Sequence, residues 1–292
     1  TPLYSSAASD VYKRQLDTVG RTLAQRLSDQ MGKPVIVENK PGGNATIGPA
    51  TVARSTADGY TLLFNASTFL SGPMISTAVP YQIEKDFQPV ALVAKAPLSV
   101  AINKNLPISD MKGLIQYAKA NPGKMTFAVG SIASAGHLST ELLKQSAGLD
   151  YMIVPYKGTA PAFQDLIGGQ IDAFIDPVLG SLQYHQGGLL KVIATTSKTR
   201  IPVLPEVPTV GETLPGFEFF SWYGLWAPAG TPAAVIARLN KEVNIALQSE
   251  ALTKFSAQGL ILEQRSVDEF KAFQKIESDK ARKIVDDANI KL

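Results

Sequence analysis

Three short turns, rich in small residues and in residues with a hydroxyl group, contain the residue types that could bind or react with another molecule. They read VGSIASAGH over residues 129–137, YKGTAP over 156–161 and NAST over 65–68, and each lies between a predicted strand and a predicted helix. The first N–H groups of a helix lack partners within it and carry the positive end of its dipole. Such turns bind anions without a formal positive charge, and glycine lets a ligand approach closely. Ordinary helix capping by Ser and Thr is the favoured explanation of any one turn, and for the three turns together spacing alone does not decide between capping and anion binding.

Motifs for catalysis are weak. A G-x-S-x-G nucleophile turn fails at Ser134, because Ile132 stands where the first glycine belongs. The only histidines, His137 and His185, are far apart and have no H-E-x-x-H or cysteine partner for a metal. Asp172 and Asp176 could suggest acid–base chemistry, but separate turn or capping roles are the favoured interpretation. We therefore expect neither a catalytic residue nor a metal or other cofactor.

The composition excludes several classes of protein. The 292 residues include 28 Lys+Arg and 25 Asp+Glu, so the net charge is only +3. Lys and Arg do not cluster in the sequence into the basic patch that binding to a nucleic acid requires. The absence of cysteine excludes disulfides and thiolate chemistry. No apolar stretch approaches the ~20 residues of a membrane span. The length and the 45% hydrophobic content predict about two globular domains.

Strands and helices alternate along the chain, which predicts an α/β fold with mostly parallel sheets. The strands are predicted at residues 35–37, 60–65, 87–93, 98–102, 125–129, 151–154, 171–175, 191–195 and 223–227. The helices are predicted at residues 16–31, 48–54, 110–120, 136–147, 161–167, 179–184, 232–247 and 267–289. The expected N-caps are Ser109, Thr231 and Ser266, the last in a capping box with Glu269. Turn residues occupy 39–43, and a proline-rich, irregular, unpacked arm is expected at 201–216.

All three polar turns follow strands, so we expect them at the carboxyl ends of strands, where open α/β sheets bind ligands. Within them, His137 is expected to bond at the start of its helix rather than to contact a ligand. Lys157 could be a cation near the cleft, but a solvated lysine is an equal alternative. Trp222, Tyr223 and Trp226 are interpreted as core or hinge packing.

Six segments together resemble the Bug family, the periplasmic solute-binding proteins of tripartite tricarboxylate transporters. They read VPYKGTAPA (154–162), DLIGGQID (165–172), VENKPGG (37–43), ADGYTL (57–62), LPEVPT (204–209) and WAPAGTP (226–232). The likeness extends from about Asp17 to Leu292. It implies a two-lobed periplasmic-binding-protein fold of type II, the Venus flytrap. Lobe 1 would comprise residues 1–101 and 224–292, and lobe 2 residues 102–223.

The resemblance also implies that a small carboxylate binds between the lobes, held by backbone amides, hydroxyls and water. The implied contacts are Asp17, Asn65, Ser67, Thr68, Ser131, Ala135, Gly136, His137, Tyr156, Gly158, Thr159, Ala160 and Asp176. Asp176 would be a partner for an amine or hydroxyl of the ligand. The implied partners are the membrane subunits of a tripartite transporter, with no nucleic acid, and the expected protein is a periplasmic monomer.

The first fifteen residues depart from the family pattern, which has an apolar first strand and a Pro- and Gly-rich turn before the position of Asp17. Here residues 11–16 read VYKRQL, and no secretion signal is recognisable. We therefore expect residues 1–15 to be non-native, the first strand to be missing, and ligand affinity to suffer.

Two other functions remain open on sequence alone. One is a small-molecule hydrolase or transferase on a two-lobed α/β scaffold, with Ser131 or Ser134 as nucleophile and His137 as base. The other is a binding protein that serves signalling rather than transport.

Overall fold

The computed structural model describes residues 2–5, 10–40 and 46–291. Its strands are β1 (Pro2–Ser5), β2 (Ile36–Asn39), β3 (Leu62–Ala66), β4 (Phe87–Asn103), β5 (Thr126–Val129), β6 (Met152–Pro155), β7 (Ala173–Pro177), β8 (Leu190–Thr195) and β9 (Phe220–Pro228). Its helices are α1 (Asp10–Met31), α2 (Ile47–Ala53), α3 (Thr68–Ile75), α4 (Ile83–Asp86), α5 (Met111–Ala120), α6 (Ala135–Ala147), α7 (Thr159–Gly168), α8 (Val178–Gln186), α9 (Ala233–Leu247), α10 (Glu250–Thr253) and α11 (Val267–Asp287). The predicted α/β class is confirmed, whereas the predicted turn at 39–43 lies mostly outside the described residues.

One strand, β4, belongs to both halves of the sheet. The strand order is β2-β1-β3-β9-β4-β7-β5-β6, with β8 also paired to β4. Residues 87–97 of β4 pair with β9, whereas residues 98–103 pair with β7 and β8. We call β2, β1, β3, β9 and residues 87–97 the first half of the sheet, and the remaining strands with residues 98–103 the second half. Each half has its own hydrophobic core.

The prediction of mostly parallel sheets is wrong, because the sheet is mixed. The pairs of β1 with β2 and β3, and of β5 with β6 and β7, are parallel. However, β9 is antiparallel to β3 and β4, and β4 is antiparallel to β7 and β8. The two strands predicted at 87–93 and 98–102 are also one strand, since the residues between them pair with β9 and stay extended.

The expected loss of the first strand is also wrong. β1 lies in parallel between β2 and β3, and its Leu3 is completely buried in the core of the first half. Backbone pairing on both sides and burial of the Leu3 side chain hold this strand in the sheet. Helix α1 begins at Asp10, six residues before the predicted start at Leu16.

Two predicted N-caps are displaced by one residue. Asp110 rather than Ser109 caps α5, because the Asp110 carboxylate accepts a hydrogen bond from the amide of Gly113. Pro232 rather than Thr231 precedes α9, and the Thr231 hydroxyl instead donates to a carbonyl in the preceding turn. In both cases neighbouring residues can serve as caps, and only the backbone geometry decides between them.

The arm at 201–216 is irregular, as predicted, apart from a short 3-10 turn at Val210–Glu212. It is nevertheless packed, which corrects the expectation of an unpacked arm; its buried side chains include Ile201, Leu204, Val207 and Val210. The aromatic residues Trp222, Tyr223 and Trp226 of β9 are buried, so their interpretation as packing residues is confirmed. No helix in the described residues combines the length and apolar character that crossing a lipid bilayer requires.

Candidate functional site

The turn between β5 and α6 presents the start of a helix at the carboxyl end of a strand. Ser134 is the N-cap of α6, and its Oγ accepts a hydrogen bond from the amide of His137 at 3.2 Å. Ala135 and Gly136 begin the helix, and Ser131 is exposed at the tip of the turn. The arrangement aims the first amides of α6 out of the sheet edge, where an anion can accept from them.

Two glycines allow this turn to pack closely against its neighbours. A Cβ built on Gly136 would lie 2.3 Å from the carbonyl oxygen of Ile175 in β7. A Cβ on Gly130 would lie 3.0 Å from the methyl group of Thr159. Because neither glycine has a side chain, the start of α6 can pack directly on β7, and the β5–α6 turn can pack against the start of α7.

His137 is a structural residue of the same turn. Its Nδ1 accepts a hydrogen bond from the amide of Ala133 at 3.0 Å, and its Nε2 lies 3.7 Å from Oε1 of Glu141. The imidazole is buried, and Ser134 Oγ bonds the His137 amide rather than its ring. Neither Ser131 nor Ser134 is hydrogen-bonded to the imidazole, so these residues do not form a serine–histidine pair of the kind that activates a nucleophile.

The turn between β6 and α7 adjoins the β5–α6 turn. The amide of Gly158 donates to the carbonyl of Gly130 at 2.9 Å, and Gly158 has a φ of 115°, which glycine adopts without strain. Thr159 begins α7 and is 3% exposed, and its buried Oγ1 has no hydrogen-bond partner among the described residues. Ala160 follows it, half-buried, in the first turn of α7. The structure thus brings the predicted site residues of these two turns together.

Tyr156 and Lys157 precede this helix start. The Tyr156 hydroxyl donates to Oδ2 of Asp165 at 2.7 Å. Burial and this carboxylate raise the pKa of Tyr156 to about 12, so the phenol stays protonated at neutral pH. Lys157 is exposed, in agreement with the solvated alternative.

The turn between β3 and α3 faces the start of α6 from the first half of the sheet. Asn65 is buried, and its Oδ1 accepts from the amide of Ala66. The amide of Ser67 donates to the carbonyl of Trp222 at 2.8 Å, and Thr68 begins α3. A cavity of about 20 Å³, enough for about one water, separates α3 from α6. Its lining includes Ser67, Thr68, Ser71, Ala133, Ala135, Phe219 and Glu277.

Asp176 lies at the end of β7, beside the start of α8. It is 8% exposed, and among the described residues no group donates a hydrogen bond to its carboxyl. Burial raises the pKa of Asp176 well above its ordinary value. A carboxyl that has lost both water and partners holds its proton, because ionising it there is costly.

Two other carboxylates have structural partners. Partial burial acts to raise the pKa of Asp17, but the hydrogen bonds that its carboxylate accepts from Arg21 and Asn39 outweigh burial and lower this pKa. Asp172 accepts from the amide and hydroxyl of Thr126, which clamps β5 to β7. Asp172 and Asp176 are also four residue steps apart along extended chain, about 13 Å, which excludes a shared proton.

Sequence reasoning missed Ser71, Ala133 and Glu277. Ser71 follows Ser67 by four residues on a helix, so the two share a face, and this spacing could have identified it. Ala133 has a φ of 55°, which few non-glycine residues adopt and which no local pattern predicts. Glu277 reaches the cavity from α11, more than 200 residues along the chain from α3.

Known proteins share this arrangement along nearly the whole chain. A family model described as "Tripartite tricarboxylate transporter family receptor" matches residues 19–290. Protein BugT of Bordetella pertussis is 38% identical over 247 residues, which cover 83% of this chain and 76% of that protein. A protein from the tcbD-tcbE intergenic region of Pseudomonas sp. is 37% identical over 234 residues, or 80% of this chain and 70% of that protein.

Solved structures agree with this match. R. palustris Rpa4515 with adipate is 30% identical and superimposes with a TM-score of 0.87, covering 100% of this chain and 98% of that chain. The periplasmic binding protein BugD is 31% identical, with a TM-score of 0.83 and coverage of 99% and 98%. MatC from Rhodopseudomonas palustris with bound malate is 28% identical, with a TM-score of 0.81 and coverage of 97% and 98%.

The predicted two-lobed, periplasmic-binding type of α/β fold is therefore confirmed. The Bug resemblance found in the sequence motifs is confirmed as well. The chain belongs to the receptor family of the tripartite tricarboxylate transporters, the solute-binding proteins that include the Bug proteins.

Proposed function

We propose that this protein captures a small carboxylate between its two lobes in the periplasm and delivers it to the membrane subunits of a tripartite transporter. The observation that carries the proposal is the junction of the α6 and α7 starts. The Gly158–Gly130 hydrogen bond holds the two turns together, and the Thr159 hydroxyl beside them is buried and has no hydrogen-bond partner in the described part of the chain. A buried hydroxyl without a partner is costly, and a ligand carboxylate or a bound water would satisfy it.

The two lobes are proposed to comprise residues 1–101 with 224–292, and residues 102–223. A first crossing within β4 is supported by the pairing of this strand, whose partners change between Pro97 and Leu98, four residues before the proposed bound. A second crossing at the start of β9 is supported by Phe220, which pairs with Pro97 and lies four residues before the proposed bound at 224. Helix α11 lies along both lobes, because its Phe270 packs in the first and its Ile284 in the second.

The proposed binding chemistry needs no basic patch, which fits a net charge of only +3. A micromolar dissociation constant corresponds to about −8 kcal/mol. One helix terminus contributes ~0.3–1 kcal/mol to anion binding, and up to about 2 kcal/mol when partly buried. Two helix starts are therefore insufficient alone, and hydroxyl hydrogen bonds, water and lobe closure must supply the rest. The structures with adipate and with malate support a carboxylate as the ligand class.

The proposed contacts divide by lobe. Lobe 2 would offer main-chain and hydroxyl donors from Ser131, Ala135, Gly136, Gly158, Thr159 and Ala160, with His137 and Tyr156 holding the turns. Lobe 1 would offer Asp17, Asn65, Ser67 and Thr68. Asp176, whose pKa is raised by burial, would donate to a ligand oxygen when protonated or, once ionised, pair with a ligand ammonium group.

Thermal-shift measurements with a panel of mono- and dicarboxylates test the proposal on the full chain. A ligand at a hundred times its dissociation constant should stabilise the fold by about 2.7 kcal/mol. The double variant Ser131→Ala with Thr159→Val should fold but lose this stabilisation. Thr51→Val with Ser55→Ala is the matched control, because those hydroxyls bond only carbonyls in or beside their own helix, α2. Failure of every carboxylate to stabilise the wild-type protein would refute the proposal.

We further propose that binding involves no chemical change to the ligand. The support is the missing hydrogen bond between either candidate serine and His137, whose Nδ1 already accepts the Ala133 amide. Mass spectrometry of the ligand after incubation should recover it unchanged. Hydrolysis of a carboxylic ester or amide, absent from the Ser131→Ala and Ser134→Ala variants, would favour the enzymatic alternative.

A further inference from the structure

A hydrogen bond joins the two lobes directly where α3 meets the β5–α6 turn. Ser71 Oγ of α3 donates to the carbonyl oxygen of Ala133, in the β5–α6 turn, at 2.7 Å, and Ser71 is 2% exposed. The same hydroxyl lies 3.2 Å from the carbonyl of Thr68 in its own helix. Because a hydroxyl has one proton and the Ala133 oxygen is the nearer acceptor, the bond between the lobes is favoured.

Side chains from both lobes hold the main chain of Ala133. Its carbonyl accepts from Ser71 of lobe 1, and its amide donates to Nδ1 of His137 in lobe 2. Ala133 is buried and has a φ of 55°, so its left-handed conformation depends on these partners. The next residue, Ser134, caps α6, and the direction of the first α6 amides therefore depends on how Ala133 is held.

The contact between α3 and α6 is loosely packed beside this hydrogen bond, although Met74 and Ile75 of α3 pack against the core of the second half. The cavity of about 20 Å³ lies beside the hydrogen bond and is lined from both lobes, including Ser67 and Ala135. Atoms that line a void lack dispersion contacts on one side. Separating two surfaces with a void between them therefore costs less free energy than separating two close-packed apolar surfaces. Beside this cavity, the Ser71 hydrogen bond is a direct polar contact between α3 and the β5–α6 turn.

We propose that Ser71 is a positioning residue, which holds the anion-binding turn of lobe 2 in its receptive conformation only while the lobes are closed. The inference rests on the proposed function. When α3 approaches, its hydroxyl fixes the Ala133 carbonyl and so orients the α6 amides toward the ligand. By reciprocity, a carboxylate bound to those amides favours the Ser71 contact and therefore closure.

Amide hydrogen exchange of the ligand-free protein tests the contact without any ligand. In Ser71→Ala, exchange of the turn at residues 130–136 should rise about two- to twelve-fold, the factor expected for one hydrogen bond of 0.5–1.5 kcal/mol. Ser71→Thr keeps the hydroxyl and should restore slow exchange. Ser55→Ala is the matched control, because its hydroxyl bonds only the carbonyl of Val52, at the end of α2. Equal exchange of the turn in Ser71→Ala and Ser55→Ala would overturn the inference.

Binding kinetics with sodium adipate and sodium malate test the coupling. Ser71→Ala should release the bound carboxylate about two- to twelve-fold faster, Ser71→Thr should restore the wild-type rate, and Ser55→Ala should leave it unchanged. Unchanged release from Ser71→Ala would overturn the proposed coupling. If the wild-type protein binds neither adipate nor malate, that result counts against the proposed ligand class, and the exchange measurement alone decides the role of Ser71.

Discussion

Replacing Gly136 with alanine is expected to damage both the stability and the ligand affinity of the protein. The added methyl would lie 2.3 Å from the carbonyl oxygen of Ile175, where ordinary contact begins near 3.4 Å. The oxygen belongs to the backbone of β7, which pairs with both β4 and β5, so it cannot rotate away. The start of α6 must therefore move outward by about 1 Å to make room.

Such overpacking costs typically about 1–3 kcal/mol of unfolding free energy. A displacement of about 1 Å also lengthens a 2.9 Å hydrogen bond from an α6 amide beyond the useful range. A hydrogen bond to a charged acceptor contributes about 1.5–3 kcal/mol. Since about 1.4 kcal/mol is a tenfold change in affinity, loss of one such bond should weaken carboxylate binding at least tenfold.

Urea denaturation and isothermal titration with the carboxylate that most stabilises the wild type measure the two effects. Gly113→Ala is the matched control, because Gly113 also lies in the first turn of a helix, and its added methyl would meet side chains rather than backbone, those of Asp110 at 3.3 Å and Ile108 at 3.8 Å. The control should be neutral or gain up to about 1 kcal/mol. If Gly136→Ala matches Gly113→Ala in both stability and affinity, the start of α6 does not pack on β7 as closely as the 2.3 Å distance implies.

Three further substitutions follow from the buried polar groups and the strained turn. Burial raises the pKa of Asp176 above its ordinary 3.8, so just above pH 3.8 the folded protein keeps a proton that the unfolded chain releases. The free energy of unfolding therefore falls as the pH rises from 3.8 to the raised pKa of the folded protein. Asp176→Asn should be more stable than wild type at pH 7–8 in thermal melts, with a gain that shrinks toward pH 4. Asp172→Ala leaves the amide and hydroxyl of Thr126 without their acceptor and should cost about 1–3 kcal/mol in urea denaturation. Ala133→Gly removes a left-handed strain of about 1–2 kcal/mol but adds unfolded-chain entropy, so its unfolding free energy should stay within about 1 kcal/mol of wild type.

Local chemical signals explain why many elements are predictable from the sequence. Ser266 and Glu269 form the expected capping box at the start of α11, because each side chain bonds the backbone of the other residue within one helical turn. The glycine and serine residues before α6 likewise identify a strand–turn–helix junction without any distant contact. The family motifs extend this local information to the fold, since they specify how the elements are connected.

Contacts between residues that are far apart in the sequence explain which features could not be predicted from it. The chain between residues 93 and 98 contains no strong strand pattern, and it remains extended only because β9, more than 100 residues later, pairs with it. Ser71 and Ala133 are 62 residues apart, and their hydrogen bond depends on how the two lobes meet. The unusual pKa of Asp176 likewise comes from desolvation by the folded chain around it.

The sheet topology also determines how the lobes can move. The two crossings between lobes are neighbours, because Pro97 of β4 pairs with Phe220 of β9. Rotation about these two paired strands would move α3 and α6 apart while it left the ladder largely intact. Lys280 of α11 donates to the carbonyl of Glu218 just before this crossing, and α11 packs on both lobes. Opening therefore has to bend or slide α11, whose Glu277 lines the α3–α6 cavity, and it also has to break the Ser71 hydrogen bond beside that cavity. The balance between these two costs sets the fraction of protein that is closed before a ligand arrives.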